Sequence, residues 1–195
     1  MPVSSLKNRI EHLENDLKAV PSRISVYHDL PFAILRYEPN EEWDLRREVK
    51  RLATRLETTG KEVHVKPMSD FLWKAIDETE GLKEIVTLER SRGYLTAQDQ
   101  VTTYLSDRDW RPLAVLLSEQ LTELDPAKNI AFLTRVGAMA PGVYHMSKLL
   151  DQMQGKTRVA TILFYPGSIE GTTGLRFMDL KDRDALGNYR VKIYG

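Results

Sequence analysis

The residues best placed for chemistry lie in a loop rich in glycine and proline in the last third of the chain. Arg135, Gly137 and Pro141 follow a predicted strand at Ile130–Thr134, and His145 opens the next helix. Open α/β sheets bind ligands beyond the carboxyl ends of their strands. A histidine at a helix N-terminus favours the neutral imidazole. These four residues are therefore candidates for contact with a ligand or a partner, and the alternative for His145 is a capping or packing role.

The other histidines do not extend this group into a catalytic or metal site. His12, His28 and His64 each lack a second histidine at metal-ligand spacing on a helix. The chain contains no cysteine, which excludes disulfides, thiol catalysis and cysteine-ligated zinc. We therefore expect no catalytic residue, no metal site and no cofactor.

The turn after the first predicted strand argues against nucleotide binding. Residues 37–42 read Tyr-Glu-Pro-Asn-Glu-Glu, with three carboxylates and no glycine. Phosphate-binding loops use glycine so that backbone N–H groups can surround the anion, and carboxylates repel it. Together with the missing metal cluster, this turn predicts a protein without ATPase or nuclease activity.

A basic face runs along the helix that follows this turn. It consists of Arg46, Arg47, Lys50, Arg51 and Arg55. The plainer interpretation is a solvated face whose cations pair with nearby acids at helical spacing. The alternative is a contact surface for an acidic partner or for phosphate.

Length and charge limit the class of protein. The chain has 195 residues, which suits a single domain over 1–195, and its 28 basic and 28 acidic residues cancel. Neutrality argues against a surface that binds nucleic acid all over, although a local patch stays open. Residues 1–5 do not read as a signal peptide, and no apolar run reaches the length of a membrane span. We expect a soluble, cytoplasmic protein that does not enter a membrane.

Strands alternate with helices along the chain, which predicts an α/β fold: one Rossmann-like domain with a mostly parallel sheet. A helical insert is predicted at 81–125, and a closing hairpin at the sheet edge from 175–177 and 189–193. The predicted parallel strands are Phe32–Tyr37, Glu62–Lys66, Ile130–Thr134 and Val159–Tyr165.

The N-terminal helix, within residues 1–20, carries a narrow apolar seam. Leu6, Ile10, Leu13 and Leu17 repeat at helical spacing. This seam is the candidate interface, because it must either dock on its own domain or pair with another chain.

Two local predictions concern the ends of strands. After Tyr37, Asn40 is the predicted N-cap of the next helix, and Trp43 is predicted to face inward. At Phe164–Gly167 the aromatic residues are predicted to be core, and Pro-Gly to make the turn that ends the strand.

The chain resembles the BrxB family of BREX bacteriophage-exclusion systems. The resemblance rests on Tyr37-Glu38-Pro39 before an acidic helix start, and on a helical middle. It also rests on Phe132–Gly137, then Pro141, Leu149 and Leu150, the Leu163–Gly167 box and Asn188-Tyr189-Arg190. One position departs from the family pattern, which has an arginine in the turn after Pro141 where this chain has Tyr144 and His145.

The resemblance implies a cytoplasmic defence factor that works with other BREX proteins, notably a PglZ-type phosphatase-like component. It implies no established catalytic activity. Two hypotheses follow. The first is a non-enzymatic module for protein–protein interaction in an anti-phage defence complex, with a homodimer possible. The alternative is a degenerate nucleotide- or nucleic-acid-binding protein that uses the edge around Arg135, Gly137 and His145.

Overall fold

A computed structural model describes residues 5–24, 29–171, 174–180 and 189–195. Over these ranges the chain forms a six-stranded sheet. The strands are β1 (Phe32–Tyr37), β2 (Glu62–Pro67), β3 (Asn129–Thr134), β4 (Ala160–Glu170), β5 (Gly174–Phe177) and β6 (Lys192–Tyr194).

The spatial order of the main sheet is β2-β3-β4-β1-β6, and all of these strands are parallel. β5 pairs antiparallel with the end of β4. The predicted α/β class, the mostly parallel sheet and its four parallel strands are therefore confirmed.

Seven helices surround the sheet in the described ranges. They are α1 (Leu6–Lys18), α2 (Glu42–Glu57), α3 (Met68–Asp77), α4 (Gly81–Arg92), α5 (Tyr94–Ser106), α6 (Leu113–Thr122) and α7 (Met146–Met153). Two 3-10 turns lie at Pro39–Glu41 and Val136–Met139.

The helices form two layers because the strands are apolar on both faces. On one face, Ala33 and Leu35 of β1 pack with α1 and α2. On the other face, Phe32 and Ile34 pack with α3, α6 and α7. The connection from β1 to β2 therefore crosses one face, and the connections from β2 to β4 return across the other.

The apolar seam of α1 is buried inside the chain. Ser5 caps the helix, and its hydroxyl accepts a hydrogen bond from the N–H of Asn8 at 3.3 Å. The seam residues Leu6, Ile10, Leu13 and Leu17 share a core cluster with Leu45, Val49, Leu52 and Leu56 of α2. Helix α1 is thus part of the domain, and its seam is not exposed for contact with another chain.

The predicted insert is helical and contains α4, α5 and α6. α4 and α5 share a small cluster with α3 around Ile85, Ala97 and the buried Tyr104, whose ring meets Trp110 edge-on at 5.3 Å. α6 belongs to the main core. The middle of the chain therefore supplies both a core helix and a peripheral helical pair.

The helix after β1 begins later than predicted. Asn40 lies within a 3-10 turn, and α2 starts at Glu42. The buried stripe of this helix begins at Leu45, and Trp43, two residues earlier, lies about 200° from Leu45 around the helix axis. The inward prediction for Trp43 is wrong, since its side chain is 70% exposed.

The aromatic residues at Phe164 and Tyr165 are buried, as predicted. The predicted turn at Pro166-Gly167 is wrong, because β4 continues to Glu170 and pairs there with β5. Gly167 permits this pairing: a Cβ there would lie 1.9 Å from the carbonyl oxygen of Arg176.

The predicted closing hairpin is also wrong. β5 pairs antiparallel with β4, with Ile169 opposite Leu175. β6 instead pairs parallel with β1, with Ile34 opposite Ile193. The alternating pattern predicts β5 and β6 as antiparallel partners. In the structure, the antiparallel partner of β5 is the extended end of β4.

Candidate functional site

A chain of polar contacts begins at the carboxyl end of β1. The hydroxyl of the buried Tyr37 donates a hydrogen bond to the carboxylate of Glu42. The same carboxylate accepts a hydrogen bond from Arg46 Nε at 2.8 Å. Burial, followed by this contact with Glu42, raises the pKa of the Tyr37 hydroxyl, so the phenol stays protonated and acts as a donor. The first turn of α2 is thereby fixed to the end of the strand.

The turn between β1 and α2 is closed by its own carboxylates. Glu38 and Glu41 form a capping box, in which the Glu38 N–H donates to Glu41 at 2.9 Å. The buried Arg9 of α1 donates to Glu41 at 2.8 Å, and Arg36 donates to Glu38. Because these acids bind the N–H groups of Glu38 and Glu41 and carry negative charge, the turn is unsuited to phosphate.

A surface groove lies beside this turn, between the first half of α2 and the carboxyl ends of β2 and β3. Its volume is about 660 Å³, which is within the usual range for binding pockets. Its apolar lining comes from Trp43, Leu45, Val49, Val65 and Pro67. Val65 is 45% exposed, so the groove presents apolar surface on two sides.

Cations surround this apolar lining. The groove is bordered by Arg46, Arg47, Lys50 and Arg135 and by one carboxylate, Glu42. Arg46 pairs with Glu42, and Arg47 pairs with Asp44. In the described part of the chain, the side chains of Lys50 and Arg135 form no ion pair and no hydrogen bond. The rim therefore carries a positive surplus.

Most cations of the basic helix face pair with nearby acids, as the plainer interpretation of the sequence predicts. Arg51 pairs with Glu48 at 2.5 Å, one turn away, and Arg55 pairs with Glu14 of α1 at 2.7 Å. Arg46 and Arg47 also have acidic neighbours. Lys50 differs from these four, because it lies on the groove side without an acidic partner among the described residues.

Of the four residues predicted at the carboxyl edge, Arg135 lines the groove. It is exposed and adopts the left-handed backbone conformation, with φ 54° and ψ 37°, directly after β3. Gly137, Pro141 and His145 do not line the groove. The structure thus separates Arg135 from the rest of the predicted set.

The other three residues belong to the connection from β3 to α7. Gly137 lies in the 3-10 turn, where a Cβ would stand 3.6 Å from the sulfur of Met178. Pro141 is exposed in the following turn. His145 is exposed at the N-cap of α7, and its carbonyl accepts hydrogen bonds from the N–H groups of Lys148 and Leu149.

The remaining histidines lie apart from the groove. His12 is exposed on α1, and His64 Nε2 contacts Asn129 Oδ1 in the neighbouring strand. His28 falls outside the described residues. Within the described ranges, no three histidine or acidic side chains come together as metal ligands.

Sequence reasoning missed the groove as a site. It identified Lys50 and Arg135 separately, because each belongs to a recognisable local pattern. It placed Trp43 in the core and gave Val65 no role. The available signal was the tryptophan two positions before the apolar stripe of α2, on the same helix as the basic face.

The fold and the groove define a Rossmann-like α/β protein with a basic, apolar-lined surface site at the carboxyl edge of its sheet. The chain belongs to the BrxB family, whose model, described as BREX protein BrxB, matches residues 66–193, more than half of the chain. A curated relative, BREX protein BrxB from Bacillus cereus (strain H3081.97), is 22% identical over 160 residues, which cover 80% of each chain. No solved structure matches.

Family membership makes this chain a component of a BREX defence system. No helix in the described ranges combines the length and apolar character needed to cross a bilayer.

Proposed function

We propose that this chain is a non-enzymatic protein–protein interaction module of its BREX complex. The observation that carries the proposal is the closed turn after β1. In a nucleotide-binding sheet this turn would offer free N–H groups, but here the carboxylates of Glu38 and Glu41 bind each other's N–H groups, and Arg9 of α1 binds Glu41.

The groove supports the same proposal, because it exposes apolar surface beside two cations, Lys50 and Arg135, that have no acidic partner among the described residues. Trp43 is 70% exposed although tryptophan has a large apolar surface. Exposed aromatic and arginine residues are typical of the energetically important centres of protein interfaces. The proposed partners are other BREX proteins, with the PglZ-type component as the first to test and a second copy of this chain as the next.

Co-purification tests the proposal. The tagged chain is expressed together with the other products of its operon and purified by affinity and then by size exclusion. We expect at least one other BREX protein to elute with it at a fixed ratio. Elution of the chain alone would contradict the interaction role.

A second measurement tests the non-enzymatic part. The purified chain is assayed for ATP hydrolysis and for DNA cleavage through successive purification steps. We expect turnover to disappear as the protein becomes pure. Activity that follows the protein, and that is lost in His145→Ala, would instead assign a reaction to the connection before α7.

A further inference from the structure

The groove beside α2 adjoins a free sheet edge. In the described part of the chain, β2 is the last strand of the sheet and pairs only with β3, with Val63 opposite Ile130 and Val65 opposite Phe132. Its outer backbone groups have no strand partner among the described residues. An extended peptide can pair with such an edge through its main chain while its side chains enter adjacent pockets.

Charge defines the kind of peptide. Lys50 and Arg135 stand on the groove rim without acidic partners in the described structure, and Arg46 and Arg47 add two further cations. A basic segment would be repelled there, whereas an acidic segment would supply the missing counter-charges. The apolar lining between Trp43 and Val65 requires that the segment also carry an apolar side chain.

We infer that the edge of β2 and the groove together bind an extended, acidic segment of a partner protein, with one apolar side chain between Trp43 and Val65. This inference rests on the proposed interaction role, and it names the groove and the edge of β2 as the surface that binds the partner. The chemistry of the groove favours a peptide over a nucleic acid. Among the described residues that line the groove, Trp43 is the one aromatic residue and the other apolar residues are aliphatic or proline. Strand pairing is available to a peptide backbone alone.

Site-specific photocrosslinking tests the inference in the intact complex. Trp43→p-benzoylphenylalanine places the reactive group in the groove, and Tyr94→p-benzoylphenylalanine places it on α5 as a matched control with 56% exposure. Each variant is co-expressed with the other operon products, irradiated and analysed by mass spectrometry. We expect the first variant to crosslink a partner segment with a net negative charge, and the control not to crosslink that segment.

Charge reversal then tests the rim. The crosslinked segment is synthesised as a peptide and titrated against Lys50→Glu/Arg135→Glu and against the control Lys83→Glu/Arg158→Glu, in which exposed cations elsewhere are reversed. We expect the Kd of the rim variant to rise roughly tenfold and that of the control to stay within about twofold of the parent. An oligo-dT probe titrated in parallel measures nucleic-acid binding.

The outcomes separate this inference from the proposed function. If the complex forms but position 43 crosslinks no acidic segment, or if the rim variant binds the peptide as the parent does, the groove assignment is wrong and the interaction role stands. Crosslinks to nucleic acid, with oligo-dT binding lost in the rim variant, would also overturn it. If no partner co-purifies with the parent chain, the proposed function fails and the groove assignment fails with it.

Discussion

The guanidinium of Arg46 lies over the indole ring of Trp43, with its central carbon 4.5 Å from the ring centroid. The same guanidinium donates to Glu42, which accepts a hydrogen bond from the buried Tyr37. The exposed indole of Trp43 is thus connected through Arg46 and Glu42 to Tyr37 at the end of β1. Such preorganisation lowers the entropy lost on binding.

Truncation of Trp43 should have little effect on folding. Trp43→Ala removes an exposed side chain and one cation–π contact, so we expect the free energy of unfolding to fall by less than about 1 kcal/mol. Phe132→Ala is the contrast, because Phe132 is fully buried and meets Phe164 edge-on at 5.3 Å. Phe132→Ala should lower the free energy of unfolding by about 3–5 kcal/mol. Urea denaturation measures both, and similar losses would contradict the orientation of Trp43.

The seam of α1 should contribute to the stability of the single chain. Leu13→Ala should lower the free energy of unfolding by about 2–5 kcal/mol, because Leu13 is fully buried between α1 and its neighbours. Leu95→Ala, at a position 71% exposed, should change it by less than about 0.5 kcal/mol. Sedimentation should give the same mass for both variants. If Leu13→Ala instead lowered the molecular mass measured by sedimentation and left the free energy of unfolding unchanged, the seam would lie between chains.

Two glycines should respond differently to alanine. Gly167→Ala brings a Cβ against the carbonyl of Arg176, so β4 and β5 must separate locally, whereas Gly155 has a positive φ of 71° with open space around it. We expect Gly155→Ala to lower the free energy of unfolding by about 1 kcal/mol, and Gly167→Ala to lower it by about 1–3 kcal/mol more than that. Thermal melting compares the two variants. Equal shifts in Tm would contradict the close approach of β5.

The pairing of Glu14 should make stability depend on pH. Burial by itself raises the pKa of Glu14, but hydrogen bonds from Arg55 and Lys18 outweigh it and lower the pKa below its ordinary value of 4.5. The folded state therefore gains stability from this carboxylate above about pH 4.5, and it loses that stability as the pH falls through the lowered value.

Glu14→Gln tests this pairing. The variant should be about 1.5 kcal/mol less stable than the parent at pH 7, and the difference should shrink below pH 4.5. Urea denaturation at several pH values measures it. Glu57→Gln, at an exposed position on α2, serves as the control. A constant difference across the range would show that the charge of Glu14 does not contribute.

Much of the fold could be predicted because its signals are local. Mostly apolar runs at Phe32–Tyr37 and Ile130–Thr134 are typical of strands buried on both faces, and that pattern favours a parallel sheet. The spacing of Leu6, Ile10, Leu13 and Leu17 needs only the geometry of one helix. The chain itself, read as a sequence, therefore determined the fold class, the apolar seam of the first helix and the family resemblance, whereas the structure decided that the seam packs inside the chain.

The tertiary structure alone decided which distant segments meet. β6 lies parallel beside β1 instead of forming a hairpin, because strand partners depend on the whole sheet and not on local alternation. Val65, Lys50 and Arg135 line one groove although they are far apart along the chain, since the carboxyl ends of β2 and β3 lie side by side under α2. The periodicity of a sequence predicts which face of its own helix or strand a residue lies on. It does not predict which faces of different elements pack together, because that depends on the whole fold.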